Sequence, residues 1–293
     1  MASPDFDSIP ARSERQAMDW SLVLVSQGID PLVERDPDAG WVILVRGPDY
    51  LRAVDALQRY QAENRRTGWQ QTLPGVGLIF DLRSLGCLLF LGLLFAVELM
   101  GQGTLRDRGV MDNRLVHAGE WWRLFTAVTL HADVSHLAAN LSTGFLMLGL
   151  VMGAYGYGVG LLLSYVAGVA GFLAGLLFLP ETHRSLGASG MVLGALGLLG
   201  AQWVGLLRLG ITPRQIAMRG LLSCVLLLVL LGLSPQENTD VLAHVAGFLS
   251  GVLLGAVLAF CPRRFVAGPW ANPVGLVATL GLVLGSWWLA LRR

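Results

Sequence analysis

The chain has 293 residues, 54% of them hydrophobic and 14% charged, with a formal net charge of +1 and a mean hydropathy of +0.59. Soluble domains carry about 25% charged residues, and this composition excludes a disordered chain, a disulfide-stapled secreted domain and a nucleic-acid-binding protein. All 21 basic residues are Arg, which removes Schiff-base enzymes, Ser–Lys hydrolases and the nucleotide phosphate loop with its Lys.

Residues 1–83 hold 9 Arg against 12 Asp+Glu, whereas residues 84–293 hold 12 against 8. The shift near residue 84 marks a boundary. Before it, Trp20–Val25 and Trp41–Val45 read as short β-prone runs around the turn-rich stretch Gly28–Gly40. Pro48-Asp49 then opens a helical pattern through Leu51, Val54, Ala56, Leu57 and Tyr60, ending near Arg65 and Arg66. These features predict a small cytosolic α/β module over 1–72, joined by a linker at 73–83 to a membrane region. The module has no His and no Cys, and the expected role is docking or regulation. The first fifteen residues are polar, with Pro4 and Pro10, and do not read as a cleavable signal peptide.

From residue 84, apolar runs of bilayer-spanning character fall at about 84–101, 136–155, 158–179, 188–207, 217–233, 240–260 and 274–291. The fold class is therefore an all-α polytopic membrane bundle, the last run forming an added seventh helix over 261–293 with its connecting loop. Interval 102–135 is too polar to cross, yet ends in Trp121, Trp122, Leu124 and Phe125; such aromatics favour a loop folded at the membrane interface. Glu98 is expected near that interface. Arg208, Arg214, Arg219, Arg263 and Arg264 fall on the module's side if the spans alternate, so that side is expected to be cytoplasmic, in a bacterial inner membrane. The four Arg of 102–135 and the tail Arg292-Arg293 run against that rule. Trp287 and Trp288 read as an interface anchor, and Cys87, Cys224 and Cys261 lie in or beside apolar runs with no disulfide framework.

Polar groups inside a bilayer are costly and usually functional. His136 and Asn140 open the second run, Ser189 the fourth and His244 the sixth. These even-numbered runs start at one face, so all four groups share one depth. Gly190, Gly194, Gly197 and Ala201 form a small-residue stripe on the fourth run; Gly247, Gly251 and Gly255 form another on the sixth. Such stripes let helices approach backbone to backbone, which would bring the Ser189 hydroxyl to the His244 imidazole as a nucleophile–base pair. His136 and Asn140, four apart on one helix face, are potential oxyanion donors, as is the Ser189 N–H at a helix start.

Taken singly, these residues have plainer readings. Ser189 would serve as a cap or small packing residue, and His244 as a structural histidine bonded across helices. His131 reads better as a loop-anchoring group than as a direct participant. His131, His136 and His244 at one depth raise the question of zinc, but there is no His-Glu-x-x-His and the carboxylates are badly placed, so no metal and no cofactor is expected. Asp240 lies one turn before His244, but Asn238-Thr239-Asp240 reads as a helix start.

The strings Gly187-Ala188-Ser189-Gly190 and Ala243-His244-Val245-Ala246-Gly247, the pair His136 and Asn140, His131, and Glu120-Trp121-Trp122-Arg123 together resemble the rhomboid family of intramembrane serine proteases, in its prokaryotic form. The similarity covers about 84–260, a core of six helices. It implies a dyad of Ser189 and His244, with His136, Asn140 and Gly187 around the oxyanion and His131, Gly190 and Gly247 in support. It also implies that the 217–233 helix and the 234–239 loop act as lateral gate and cap. Substrates would be membrane proteins with a transmembrane helix, cut near the outer face, and neither nucleic acid nor nucleotide would take part. Two alternatives remain: a catalytically silent relative that binds membrane helices, and a solute transporter. The intact dyad speaks against the first. The clustering of polar groups near one face, with no repeat, speaks against the second.

Overall fold

The computed structural model describes residues 6–36, 40–63, 69–72, 78–208, 213–233, 239–261 and 268–292. Arg65, Arg66, Arg263, Arg264, Arg293 and nearly all of the 234–239 loop lie outside the described residues. The chain divides into two units, Met1–Thr67 and Gly68–Arg293.

The first unit runs β1 (Phe6–Ala11), α1 (Glu14–Ser26), β2 (Leu32–Asp36), β3 (Gly40–Arg46) and α2 (Tyr50–Glu63). The sheet order is β1-β3-β2, with β3 antiparallel to both neighbours, so α1 is the crossover between two parallel edge strands. Ala17, Leu24, Ile43, Val45, Ala53 and Leu57 close the core between sheet and helices. The expected strand at Trp20–Val25 is instead the body of α1. Its start is capped: Ser13 accepts from the Gln16 amide, and the Gln16 side chain accepts from the amide of Arg12, just before the cap, at 2.7 Å. Its end is Gly28, at φ +72°, where a left-handed residue stops the helix.

The second unit begins earlier than residue 84. Strand β4 (Gln70–Thr72), at the end of the stretch expected as module, and β5 (Ile79–Asp81), in the stretch expected as linker, pair antiparallel. Phe80 is buried, and its ring lies against Gly149 and stacks edge-on to Phe145 with centroids 5.0 Å apart. A side chain at Gly149 or Gly153 would collide with β5, which explains why the strand sits so close to the membrane helix.

Helix α3 (Ser84–Met100) is apolar and 17 residues long. Six described helices are long and apolar enough to cross a membrane: α7 (Val134–Tyr155), α8 (Tyr157–Phe178), α9 (Ser189–Arg208), α10 (Arg214–Gly232), α11 (Val241–Phe260) and α12 (Ala271–Arg292). The protein is an integral membrane protein. Between α3 and α7, the expected loop is built from α4 (Thr104–Gly109), β6 (Met111–Asp112), α5 (Asn113–His117), α6 (Arg123–Thr126) and a 3-10 turn at Ala127–Thr129. Its polar residues turn inward. Buried Arg123 pairs with Glu120 at 2.6 Å and donates to the carbonyls of Asp107 and Val110. Asn113 donates to the carbonyls of Gly175, Leu179 and Pro180 at the end of α8. Glu98 is buried in the protein, where it accepts from the Arg106 amide at 3.0 Å.

Candidate active site

Helices α7, α9 and α11 all begin at one face of the bundle, and each starts with a short local device. Asp133 caps α7 by accepting from the His136 amide, and Asp240 caps α11 by accepting from the Ala243 amide. Ser189 is the first residue of α9, after Gly187 at φ +132°.

The small-residue stripes of α9 and α11 meet along their length. A Cβ at Gly247 would stand 2.5 Å from the Gly190 carbonyl oxygen, and one at Gly251 would fall on the Gly194 carbonyl. A Cβ at Gly197 would strike the Phe248 carbonyl. Helix α8 joins them: a Cβ at Gly171 would lie 2.6 Å from the Ala243 oxygen, and one at Gly168 2.9 Å from Met191. At this separation the side chains at the mouth of the α9–α11 seam meet directly. Ser189 Oγ lies 2.7 Å from His244 Nε2.

The second ring nitrogen decides the tautomer. His244 Nδ1 is 2.8 Å from the carbonyl oxygen of Gly232, in the last turn of α10. A carbonyl only accepts, so Nδ1 carries the proton and Nε2 presents its lone pair to the serine hydroxyl. Asp240 plays no part in orienting the ring. Besides capping α11, its other oxygen pairs with His183 Nε2 at 3.1 Å. The helix-start reading of this acid is the one the geometry matches.

His136 and Asn140 project from the first turns of α7. The His136 ring packs on Gly187, where a Cβ would come within 2.7 Å of its Cε1. Asn140 is buried, and its Nδ2 has no partner among the described residues; a buried orphan donor calls for an explanation. Gly187 requires a correction. Its amide donates to the Ala127 carbonyl at 3.0 Å and is not free to serve an oxyanion. It contributes the absence of a side chain, at a backbone angle that favours glycine.

His131 is 2% exposed, with its ring 5.3 Å from that of His136, and neither nitrogen has a partner among the described residues. Burial, with the neighbouring His136 adding to it, pushes its pKa down from 6.5 to about 4. The backbone here is pinned: Arg106 donates to the carbonyls of His131 and Ala132 at 3.0 and 2.8 Å.

Residues 118–260 match the description of the rhomboid domain. The chain is 30% identical to Rhomboid protease GluP of Bacillus subtilis over 57% of its own length and 32% of that protein's. It is 32% identical to RHOMBOID-like protein 5 of Arabidopsis thaliana over 59% of its own length and 55% of the relative's. It is also 28% identical to Putative rhomboid protease YdcA of Bacillus subtilis, over 51% of this chain and 73% of that one. The likeness to rhomboid proteins is thus carried by residues 118–260. The chain spans about a third of the first of these relatives and about half of the second. The matched rhomboid region holds His131, His136, Asn140, Ser189 and His244 and ends before α12. Sequence reasoning missed the Gly232 carbonyl at this site, and no residue type signals a main-chain acceptor.

Proposed function

We propose that this rhomboid-like protein is an intramembrane serine protease, with Ser189 as nucleophile and His244 as general base. The 2.7 Å contact between Ser189 Oγ and His244 Nε2, with Nδ1 held on Gly232, carries the reading. A transmembrane-helix substrate would present a carbonyl to Ser189. As Oγ attacks, its proton passes to Nε2, and the imidazolium keeps its Nδ1 proton on the Gly232 carbonyl. Asn140 Nδ2, the His136 ring and the Ser189 N–H are the donors for the oxyanion that forms. Nε2 then protonates the leaving amine, and water attacks the acyl-serine by the same route in reverse.

The site lies where α7, α9 and α11 begin, and the Arg distribution supports assigning that side to the outer face of a bacterial inner membrane. The N-terminal module would then be cytoplasmic, and the natural partners would be membrane proteins with a single transmembrane helix.

The reading is tested with a fluorophosphonate probe on the purified full chain, in mild detergent and in liposomes, with the adduct mapped by mass spectrometry. Ser189 should be labelled in wild type, and Ser189→Ala and His244→Ala should abolish labelling. Ser189→Ala should melt close to wild type, because it deletes one hydroxyl and a bond of about 1 kcal/mol. A folded wild type that stays unlabelled in both media would refute the protease and favour a silent binder of membrane helices.

A further inference from the structure

Helix α12 lies outside the matched rhomboid region, yet it is tied to the segment that holds Gly187. At its first turn, Asn272 Oδ1 accepts from the Gly158 amide at 2.9 Å, and a Cβ at Gly275 would lie 2.6 Å from the Gly158 carbonyl. The helix is thereby seated backbone to backbone on α8. Near its other end, buried Trp287 donates from Nε1 to Thr129 Oγ1 at 3.0 Å. Thr129 in turn donates to the Thr126 carbonyl at 2.8 Å, and Thr126 donates to the Gly109 carbonyl at 2.7 Å. The Trp287 ring lies on Gly109, where a Cβ would come within 2.7 Å of it. Thr129 is the last residue of the 3-10 turn that begins with Ala127, and the Ala127 carbonyl accepts from Gly187 N two residues before Ser189.

We propose that α12 positions the Ser189 loop, with Trp287 as the positioning residue acting through Thr129 and the Ala127 carbonyl on Gly187. A buried indole N–H must find an acceptor, and here the acceptor is the turn on which Gly187 hangs. Freed from Trp287, the turn has one fewer restraint, and the Ala127–Gly187 bond opens more often. His136 rests on Gly187, so the loosening reaches both the nucleophile and one donor. The consequence for catalysis rests on the protease reading; the consequence for the loop does not.

The test uses the full chain in detergent with Trp287→Phe, Thr129→Val, the double variant and Thr129→Ser. Hydrogen exchange across 184–190 should quicken about fivefold in Trp287→Phe and Thr129→Val, the size expected for one lost hydrogen bond. Exchange in the α9–α11 seam should stay at the wild-type rate. The double variant should add nothing to Thr129→Val, which already removes the bond to Trp287 along with that to Thr126, and Thr129→Ser, which keeps the acceptor, should behave as wild type. The maximal rate of fluorophosphonate labelling at Ser189 should fall about as much, at unchanged half-saturating probe concentration. Wild-type exchange at 184–190 in both single variants overturns the proposal, as does equal quickening throughout the bundle. Faster exchange at 184–190 in a protein whose wild type takes no label would sink the protease reading and leave the positioning role standing.

Discussion

Helices α10 and α11 both meet the central helix α9, and they do so in opposite ways. Along α11 the contact is backbone on backbone, glycine against carbonyl from Gly247 to Gly251. Along α10 it is side chain against glycine, with Trp203 over Gly220 and Cys224 near Gly200. Only 17% of the apolar stretch of α10 is buried, against 61% for α9, and Leu222, Leu226 and Leu230 point away from the bundle as an exposed stripe. Both helices are apolar enough to span. Hydropathy therefore tells which segments enter the membrane, while small-residue spacing tells which of them can close on each other. The difference also divides labour at the site: the tight seam brings Ser189 to His244, and the loosely held helix supplies the carbonyl that orients the histidine.

The sharpest way to break this comparison is Gly247→Leu. The new side chain would start 2.5 Å from the Gly190 oxygen, so the seam must open. Loss of labelling at Ser189 is expected, with destabilisation of about 3 kcal/mol or more, read by thermal melting. An active and equally stable variant would contradict the close-packed seam.

Next in size is a pH effect. His131 takes up a proton near 6.5 when unfolded but only near pH 4 in the fold. Its depressed value leaves stability unaffected above pH 6.5 and removes stability as pH falls from there toward 4, by up to about 3 kcal/mol. His131→Leu should flatten the melting curve across that window. A variant as acid-sensitive as wild type would place the acid loss elsewhere.

Asp240→Asn should change the labelling rate little. Asn still caps a helix, and Asp240 faces His183 rather than His244. A carboxylate that orients a catalytic histidine costs about 10⁴ in rate when changed to the amide, so a loss of that order would make Asp240 a third member of the dyad. Smallest of all, Leu226→Ala on the outer stripe of α10 should shift stability in liposomes by about 0.5 kcal/mol or less. A larger loss would mean that this face packs against protein.

Much of this architecture was legible in the residues. The membrane helices announce themselves by apolar length, and Ser189 and His244 by their place on small-residue stripes with matched direction. The errors have physical sources. Trp20–Val25 is a β-prone run of six, but Ser13, Gln16 and Gly28 encode a capped helix around it, and local capping outweighed strand propensity. Residues 79–81 look like linker because three residues are too few for a periodic signal; pairing with β4 makes them a strand, and Gly149 and Gly153 give it room against α7. The inward turn of Arg123 and Asn113 was not legible, since nothing in their own sequence says that carbonyls wait for them.

The bond from His244 to Gly232 has a consequence for genetics. In hydrolases that orient their histidine with a carboxylate, that partner can be deleted by a single codon change and found in a screen. Here the partner is a peptide carbonyl, and every amino acid supplies one. No substitution at Gly232 erases the acceptor; substitutions act only by shifting the chain that carries it. A saturation screen for lost activity would therefore pass over the group that sets the histidine tautomer. It would return neighbours such as Leu193, against which a Cβ at Gly232 would press at 3.1 Å.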